Sequence, residues 1–124
     1  MRCRVLIADD YMDAAESLAM LVTADTNCET EVAHDGESAL ERASEWHPHV
    51  CVLDLDMPKI DGLEVARKIR EQAWSERPLL IALSGWTSIC DRRGALDAGF
   101  DHYIPKPVDP AVILKLVQSR VHKC

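Results

Sequence analysis

Short apolar runs alternate along the chain with stretches whose apolar residues recur at helical spacing. The runs predict β-strands, and the amphipathic stretches predict helices. The predicted strands cover residues 3–8, 29–33, 49–53, 79–83 and 102–104. The predicted helices cover residues 13–24, 37–46, 63–72, 91–98 and 108–121. Five strands therefore alternate with five helices.

The predicted helices have apolar faces that should pack against a sheet. These faces comprise Leu18, Leu21 and Val22; Ala39, Leu40 and Ala43; Val65, Ala66 and Ile69; and Ile113, Leu116, Val117 and Val121. Asp35-Gly36 predicts a turn, Met57-Pro58 and Asp61-Gly62 predict a loop, and Gly99 ends the fourth helix.

Continuously apolar strands indicate burial on both faces, so the sheet should be parallel with helices on both sides. Only the second predicted strand alternates between apolar and polar residues. We predict an α/β fold of the flavodoxin-like, doubly wound kind, with five parallel strands in the order 2-1-3-4-5 and five helices. The connections should be right-handed. A functional site is expected beyond the carboxyl ends of the strands, at the switch point.

Length and composition narrow the class of protein. The 124 residues suit one compact domain, which we take as residues 1–124. The net charge of −7 argues against a nucleic-acid surface, which needs clustered Lys and Arg. The five cysteines form no CxxC pair and are odd in number, which argues against a zinc site and a disulfide framework. Cys3 and Cys51 lie in apolar runs and are expected in the core.

The chain has no signal-peptide pattern, since Asp9 and Asp10 interrupt the first apolar run. No apolar stretch is long enough to span a bilayer. We therefore expect a cytoplasmic protein that contacts neither membranes nor nucleic acid.

Polar side chains follow four of the predicted strands. Asp9 and Asp10 follow the first strand, Asp54 the third, Ser84 the fourth and Lys106 the fifth. A single Asp in such a place is commonly a turn former or a helix N-cap. In a parallel sheet, however, all of these strand ends lie at one edge. Three carboxylates, a hydroxyl and an ammonium group should therefore meet in one crevice.

Clustered carboxylates repel one another and raise one another's pKa values unless a cation neutralises them. Mg²⁺ prefers carboxylate oxygens and water as ligands. The acidic cluster therefore predicts a divalent metal, Mg²⁺ or Mn²⁺, held by Asp9 and Asp10 beside Asp54.

A carboxylate next to such a metal is a competent nucleophile toward a phosphoryl group. Asp54 is the expected nucleophile because it follows the central strand alone, whereas Asp9 and Asp10 form a pair suited to a metal. Lys106 would neutralise phosphoryl oxygens as a compact charge, and Ser84 would donate a hydrogen bond to one of them.

The alternative for Lys106 is a solvated surface lysine, but it lies between Pro105 and Pro107 in a stiff segment. The Lys106–Pro107 bond is a candidate for a cis peptide, since X-Pro bonds are where cis is accessible. A cis bond there would direct the ammonium group toward the strand ends.

Four segments together resemble the receiver domain of two-component response regulators over essentially the whole chain. They are VLIADD, VLDLDMPKIDGLEVARKIR, LIALSG and AGFDHYIPKPVD. The amino-acid sequence of residues 85–110 is most similar to that of receivers attached to hybrid histidine kinases. The set is specific because five functional positions occur in the family's order and spacing.

The resemblance implies a role for each matching residue. Asp54 matches the phosphorylated aspartate, Asp10 a direct metal ligand, and Asp9 a ligand that often acts through water. The backbone carbonyl of Asp56 matches the third protein ligand of the metal, beside Asp54 itself.

The resemblance also implies a switch. Ser84 matches the hydroxyl that moves onto the phosphoryl group, and Lys106 matches the family's lysine, usually followed by a cis-proline, here Pro107. Tyr103 matches the aromatic residue that swings inward after the hydroxyl, although on spacing alone it could be an ordinary edge-strand aromatic residue.

Further implications concern partners and activity. The phosphoryl donor would be a histidine kinase or a histidine phosphotransfer protein, and an unidentified downstream protein would bind the face of helix 4, strand 5 and helix 5. The chain would not be an enzyme acting on other substrates, because it catalyses only its own phosphorylation and dephosphorylation.

Some positions are less usual for the family. Asp56 adds a carboxylate near the phosphoryl site, and Gly85 leaves space beside it. The role of the Asp56 side chain is open between repelling phosphate, recruiting water, contacting a second cation and simply facing solvent as a loop residue. Trp86 is expected to be exposed, as a partner contact, a lid or an ordinary surface residue.

Two other classes use similar parts. Asp54-Leu55-Asp56 also resembles the DxD motif of haloacid-dehalogenase-type phosphatases, but there the acidic metal pair comes last, and here Asp9-Asp10 comes first. A flavodoxin-like cofactor binder needs a glycine- and hydroxyl-rich first loop, whereas this chain has DDYMDAAE. An interaction module with the fold but without phosphorylation is the remaining alternative.

Overall fold

The structure of the protein is a computed structural model that describes residues 3–85 and 92–121. Strands β1 to β5 are Arg4–Ala8, Glu29–Ala33, Val50–Asp54, Leu79–Ser84 and His102–Pro105. Helices α1 to α5 are Met12–Thr26, Gly36–Trp46, Gly62–Glu71, Arg92–Ala98 and Pro110–Val121. Trp86, Cys90, Cys124 and the predicted helix start at Asp91 lie outside the described residues.

The five strands form one parallel sheet in the order β2-β1-β3-β4-β5. The predicted order and direction are therefore confirmed. The central strand β3 pairs with β1 through Val5 and Val50 and with β4 through Leu53 and Ala82. All residues of β3 are buried, as expected for a strand covered on both faces.

Two apolar clusters cover the two faces of the sheet. Helices α2, α3 and α4 pack on one face, and α1 and α5 pack on the other. The predicted inward residues Val65, Ala66 and Ile69 are buried, and so are Cys3 and Cys51. Leu21, predicted to face the core, is instead 40 % exposed, because Ala15, Ala19 and Val22 form the buried face of α1.

Three strands end one residue later than predicted, β3 at Asp54, β4 at Ser84 and β5 at Pro105. Asp54 and Ser84 are therefore the last residues of β3 and β4 rather than the residues that follow them. The ladder continues because Asp54 pairs with Leu83 and the Leu55 N–H donates to the Leu83 carbonyl at 3.0 Å. The backbone that carries both functional side chains is therefore part of the sheet.

Both Asp-Gly pairs begin helices rather than forming free turns. Asp35 is the N-cap of α2 and accepts a hydrogen bond from the Ser38 N–H at 2.7 Å. Asp61 is the N-cap of α3 and accepts one from the Glu64 N–H at 3.0 Å. The predicted turn and loop end there because each Asp side chain satisfies an otherwise free helix N–H.

A polar network joins α3 to the amino ends of β4 and β5. The Arg70 guanidinium donates to the carbonyls of Gly99 and Pro78 and to Asp101, each at 2.9 Å. Asp101 also accepts from Arg77 and from the Leu80 N–H, each at 2.9 Å. This network lies at the edge of the sheet opposite Asp54. Within the described residues, every helix is too short or too polar to cross a membrane.

Candidate functional site

The carboxyl edge of the sheet brings together the polar side chains that the sequence placed after its strands. Asp9 follows β1, Asp54 ends β3, Ser84 ends β4, and Lys106 follows β5. Because β1, β3 and β4 are neighbours in one parallel sheet, their ends line a single crevice.

A compact group of three carboxylates forms the floor of this crevice. One oxygen from each of Asp9, Asp10 and Asp54 lies within 4.8 Å of the other two. Asp9 and Asp54 are buried, with 3 % and 1 % of their surface exposed, whereas Asp10 is exposed. Two carboxylates are thus shielded from water, and the third lies on the solvent side of the group.

Lys106 supplies positive charge to this group. Its Nζ donates a hydrogen bond to Asp54 Oδ2 at 3.0 Å and lies 3.6 Å from Asp9 Oδ2. Partial burial favours a lower pKa for Lys106. The hydrogen bonds to Asp54 and Asp9 and the negative charges of these two carboxylates have a larger effect, so the pKa of Lys106 is raised. The ammonium group therefore stays protonated. The Lys106–Pro107 bond is cis, the isomer expected from the sequence.

The surroundings of Asp9 disfavour its ionised form. Burial raises the pKa of the Asp9 carboxyl, a hydrogen bond from the Tyr11 N–H at 2.9 Å acts in the opposite direction, and the charge of Asp54 raises the pKa further. The charge of Lys106 lowers the pKa, but the net result is a raised pKa.

The donor set fits a divalent cation. Three carboxylate oxygens within 4.8 Å are the hard ligands that Mg²⁺ and Mn²⁺ take. The count of charges agrees, since three carboxylates lie together and Lys106 pairs with two of them. Exposed Asp10 leaves the solvent side open for the waters that Mg²⁺ retains.

Ser84 and Tyr103 lie on the neighbouring strands β4 and β5. The Tyr103 hydroxyl donates to Ser84 Oγ at 2.7 Å. Ser84 is buried and Tyr103 is half-buried against the cluster beneath α2, α3 and α4. The structure thus joins the expected switch pair by a direct contact, so Tyr103 is more than an isolated edge-strand aromatic residue.

Asp56 lies in the loop between β3 and α3, beside the nucleophile. Its N–H donates to Asp54 Oδ1 at 3.1 Å, so the two oxygens of Asp54 have different partners. Its side chain extends toward β4, since a methyl group added at Gly85 would lie 3.3 Å from Asp56 Oδ2 and 3.9 Å from Lys106 Cδ. The solvent-facing interpretation of Asp56 is therefore incomplete, because its carboxylate borders the site.

Sequence reasoning missed three contributions to the site. The Tyr11 N–H fixes Asp9, and Gly36 and Gly62 allow close backbone contacts around the loop after β3. The signal for both glycines was present as Asp-Gly pairs, of which we interpreted the first as a turn and the second as part of a loop. No sequence pattern indicated the backbone hydrogen bond of Tyr11.

An apolar groove of about 300 Å³ adjoins the site between α1 and the segment that precedes α5. Asp9 and Lys106 line the groove together with the apolar residues Leu18, Val108 and Pro110. Tyr11 lines it as well and is 65 % exposed. An apolar surface therefore begins directly beside the acidic group.

A doubly wound sheet of this order, with an acidic group at the carboxyl ends of its central strands and a lysine after its edge strand β5, is typical of receiver domains. The family model described as "Response regulator receiver domain" matches residues 5–118. The chain belongs to that family, whose members receive phosphoryl groups in two-component signalling. The haloacid-dehalogenase and cofactor-binding alternatives are thereby wrong.

Characterised relatives carry the same family name. The response regulator MprA of Mycobacterium ulcerans is 40 % identical over 107 residues, covering 86 % of this chain and 45 % of that protein. MprA of Mycobacterium tuberculosis is 39 % identical over the same length and coverage. The chain therefore spans about half the length of the curated relatives it matches.

Solved structures agree with the fold. The receiver domain of the Francisella response regulator 1452 superposes with a TM-score of 0.86 at 27 % identity, covering 98 % of both chains. The corresponding domain of AraT, a response regulator of Geobacillus stearothermophilus, gives 0.84 at 31 % identity, covering 99 % of this chain and 95 % of that one.

Proposed function

We propose that the chain, as one receiver unit over residues 1–124, accepts a phosphoryl group on Asp54 from a phosphohistidine donor. One observation carries the assignment: buried Asp54 has Lys106 Nζ at 3.0 Å and lies in the compact group of three carboxylates. Asp54 is the group member on the central strand β3.

In the proposed reaction, a carboxylate oxygen of Asp54 attacks the phosphorus atom and forms a P–O bond. The P–N bond of the donor breaks, its electron pair returns to the imidazole nitrogen, and that nitrogen takes up a proton from solvent. Lys106 stays protonated, moves no proton and compensates the negative charge of the phosphoryl oxygens. The Asp56 N–H keeps the Asp54 carboxylate oriented through Oδ1.

The metal would be held by Asp9, Asp10 and Asp54, with the backbone carbonyl of Asp56 as a further ligand. Bound Mg²⁺ or Mn²⁺ would supply positive charge to the phosphoryl oxygens. The Tyr11 N–H restricts Asp9 to one orientation. The same residues make the chain a catalyst of its own phosphorylation and dephosphorylation only, with one phosphoryl group per chain.

The donor is a histidine kinase or a histidine phosphotransfer protein. A protein donor is supported by the groove beside Asp9 and Lys106, because its apolar walls suit a macromolecular surface better than a small anion. Exposed Tyr11 and Leu21 extend that apolar surface along α1.

The output is a rearrangement of the face formed by α4, β5 and α5. Ser84 leaves the Tyr103 hydroxyl to donate to a phosphoryl oxygen, and Tyr103 follows it inward. Support comes from the existing 2.7 Å contact between the two hydroxyls and from the position of Arg92, 5.8 Å from the Tyr103 ring centre. A downstream protein would recognise the rearranged face.

The test is labelling by acetyl phosphate and by a phosphohistidine protein in Mg²⁺, followed by phosphate-affinity electrophoresis. Asp54→Asn should abolish the shifted band, whereas Asp25→Asn, at an exposed position on α1, should retain it. A labelled Asp54→Asn variant would refute the assignment. A parent protein that neither donor labels would instead support the interaction-module alternative.

A further inference from the structure

The loop between β3 and α3, residues 55–61, rests on the amino end of α2. Gly36, the first residue of α2, is buried, and its N–H donates to the Pro58 carbonyl at 3.3 Å. Asp35, the preceding N-cap, pairs with Lys59 Nζ at 3.6 Å. Pro58, Lys59 and Ile60 are consecutive loop residues, and each contacts the amino end of α2.

The closest contact is between Gly36 and the backbone of Ile60. A Cβ added at Gly36 would lie 1.5 Å from the Ile60 carbonyl oxygen and 2.5 Å from its carbon. Both distances are far below van der Waals contact, and the obstacle is backbone, which cannot rotate away. Any side chain at position 36 must therefore displace the loop, α2, or both.

The loop that rests on Gly36 also carries a hydrogen bond to the nucleophile. The Asp56 N–H donates to Asp54 Oδ1 at 3.1 Å. At its other end the loop closes on β3, because Gly62 donates to the Leu55 carbonyl at 3.3 Å, and a Cβ there would lie 2.5 Å from the Asp54 carbonyl oxygen. Because the loop is held at both of these anchors, we expect a shift at Ile60 to displace Asp56.

We infer that Gly36 is a positioning residue for the phosphoacceptor site, acting through the loop to hold the Asp56 backbone where it orients Asp54 and completes the metal site. The inference rests on the proposed function, since it assumes that Asp54 and the Asp56 carbonyl take part in metal binding. Gly36 itself touches neither the metal ligands nor the phosphoryl position.

The experiment compares Mg²⁺ affinity, measured by isothermal titration calorimetry, with unfolding midpoints in urea for the same proteins. Gly36→Ala should weaken Mg²⁺ binding by about tenfold, the lower end of the effect of removing support behind metal ligands. Beryllofluoride binding in saturating Mg²⁺ should weaken as well. Glu37→Ala, an exposed change one residue along the same helix, should alter neither affinity.

A second control separates positioning from loss of stability. Val117→Ala removes packing in the cluster on the other side of the sheet, so it should lower the urea midpoint and leave Mg²⁺ affinity unchanged. If Gly36→Ala and Val117→Ala lower the midpoint equally and both bind Mg²⁺ like the parent, Gly36 is merely structural and the inference is overturned.

A milder variant covers the case in which Gly36→Ala does not fold. Pro58 is exposed, so Pro58→Gly should fold while loosening the loop segment that contacts Gly36, and Mg²⁺ binding should weaken by roughly threefold. Unchanged Mg²⁺ affinity in folded Pro58→Gly would contradict the claim that the contact between the loop and Gly36 supports the metal site. If the parent binds no Mg²⁺, the proposed function is overturned, and the inference with it. If the parent binds Mg²⁺ and folded Gly36→Ala binds it equally tightly, only the inference is overturned.

Discussion

The Tyr103 hydroxyl donates a 2.7 Å hydrogen bond to Ser84 Oγ and so links β5 to the end of β4. Ser84 lies on the strand next to the one that ends in Asp54. The Tyr103 ring lies near Arg92 of α4, whose guanidinium carbon is 5.8 Å from the ring centre. A movement of Ser84 toward Asp54 would therefore break a contact that leads to α4.

Tyr103→Phe should leave labelling at Asp54 intact and weaken the response of α4 and β5. The variant retains the ring but removes a neutral hydrogen bond, a change of about 0.5–1.5 kcal/mol. Beryllofluoride-induced amide shifts in α4 and β5 should become smaller, and Ser84→Ala should reduce them too. Tyr11→Phe, at an exposed tyrosine, is the matched control and should respond like the parent. Full-sized shifts in Tyr103→Phe would argue against the coupling.

Lys106→Ala should slow phosphorylation about a hundredfold, the usual effect of removing one preorganised charge-stabilising donor. It should also destabilise the metal-free protein by about 1–3 kcal/mol, because Asp54 and Asp9 would remain buried without their cation. Labelling time courses and urea unfolding measure the two effects. Lys115→Ala, at an exposed lysine of α5, should change neither. Normal labelling of Lys106→Ala would remove Lys106 from the mechanism.

Asp9→Asn should stabilise the metal-free protein by about 1–4 kcal/mol at neutral pH, the range for two like charges about 4 Å apart between bulk water and an effective dielectric of about 20. The sign follows from the raised pKa of Asp9. Its favourable contribution is present below the unfolded pKa and is lost as the pH rises through the folded pKa. At pH 7 the ionised carboxyl therefore destabilises the fold.

The same variant should lose the stabilisation that Mg²⁺ gives the parent, since a ligand stabilises only the state that binds it. Urea unfolding at pH 7, with and without Mg²⁺, tests both effects. Glu16→Gln, an exposed charge removal on α1, provides the control. An Asp9→Asn protein that is less stable than the parent without Mg²⁺ would contradict the charge argument.

Asp101→Asn should lower the free energy of unfolding at pH 7 by about 1–3 kcal/mol, as for a partly buried, charge-assisted network. Burial favours a higher pKa for Asp101, but hydrogen bonds from the Leu80 N–H and Arg77, with the charge of Arg70, outweigh it and lower the pKa. Its stabilising contribution is therefore present above the usual value of 3.8 and lost as the pH falls through the folded value. Urea unfolding should show parent and variant converging in acid. A constant difference between pH 7 and acid would contradict this account.

Most of the fold and the main site residues follow from local patterns. Continuous apolar runs indicate parallel strands buried on both faces, and in such a sheet the residues at the strand ends share one edge. Asp54, Asp9 and Lys106 could be placed together by that argument alone, and the structure brings them within hydrogen-bonding or ion-pairing distance.

Contacts between distant backbone segments could not be predicted in this way. Gly36 and Ile60 are far apart in sequence, and their contact depends on how α2 and the loop after β3 pack. The exposure of Leu21 has a similar origin, since helical spacing alone does not say which of two adjacent apolar residues faces α5 and the sheet. The Arg70–Asp101 network likewise joins elements whose proximity is set by the completed sheet.

The most direct test of the account is the amide NMR spectrum in Mg²⁺ with and without beryllofluoride, recorded for the parent and for Asp54→Asn. In the parent, the amide signals around Asp54, Ser84 and Lys106 should shift, and so should the signal of Tyr103 on β5. These shifts should appear only when both Mg²⁺ and beryllofluoride are present. Asp54→Asn should show no beryllofluoride response. A parent spectrum unaffected by both reagents, or an equal response in Asp54→Asn, would contradict the claim that Asp54 is the phosphoacceptor.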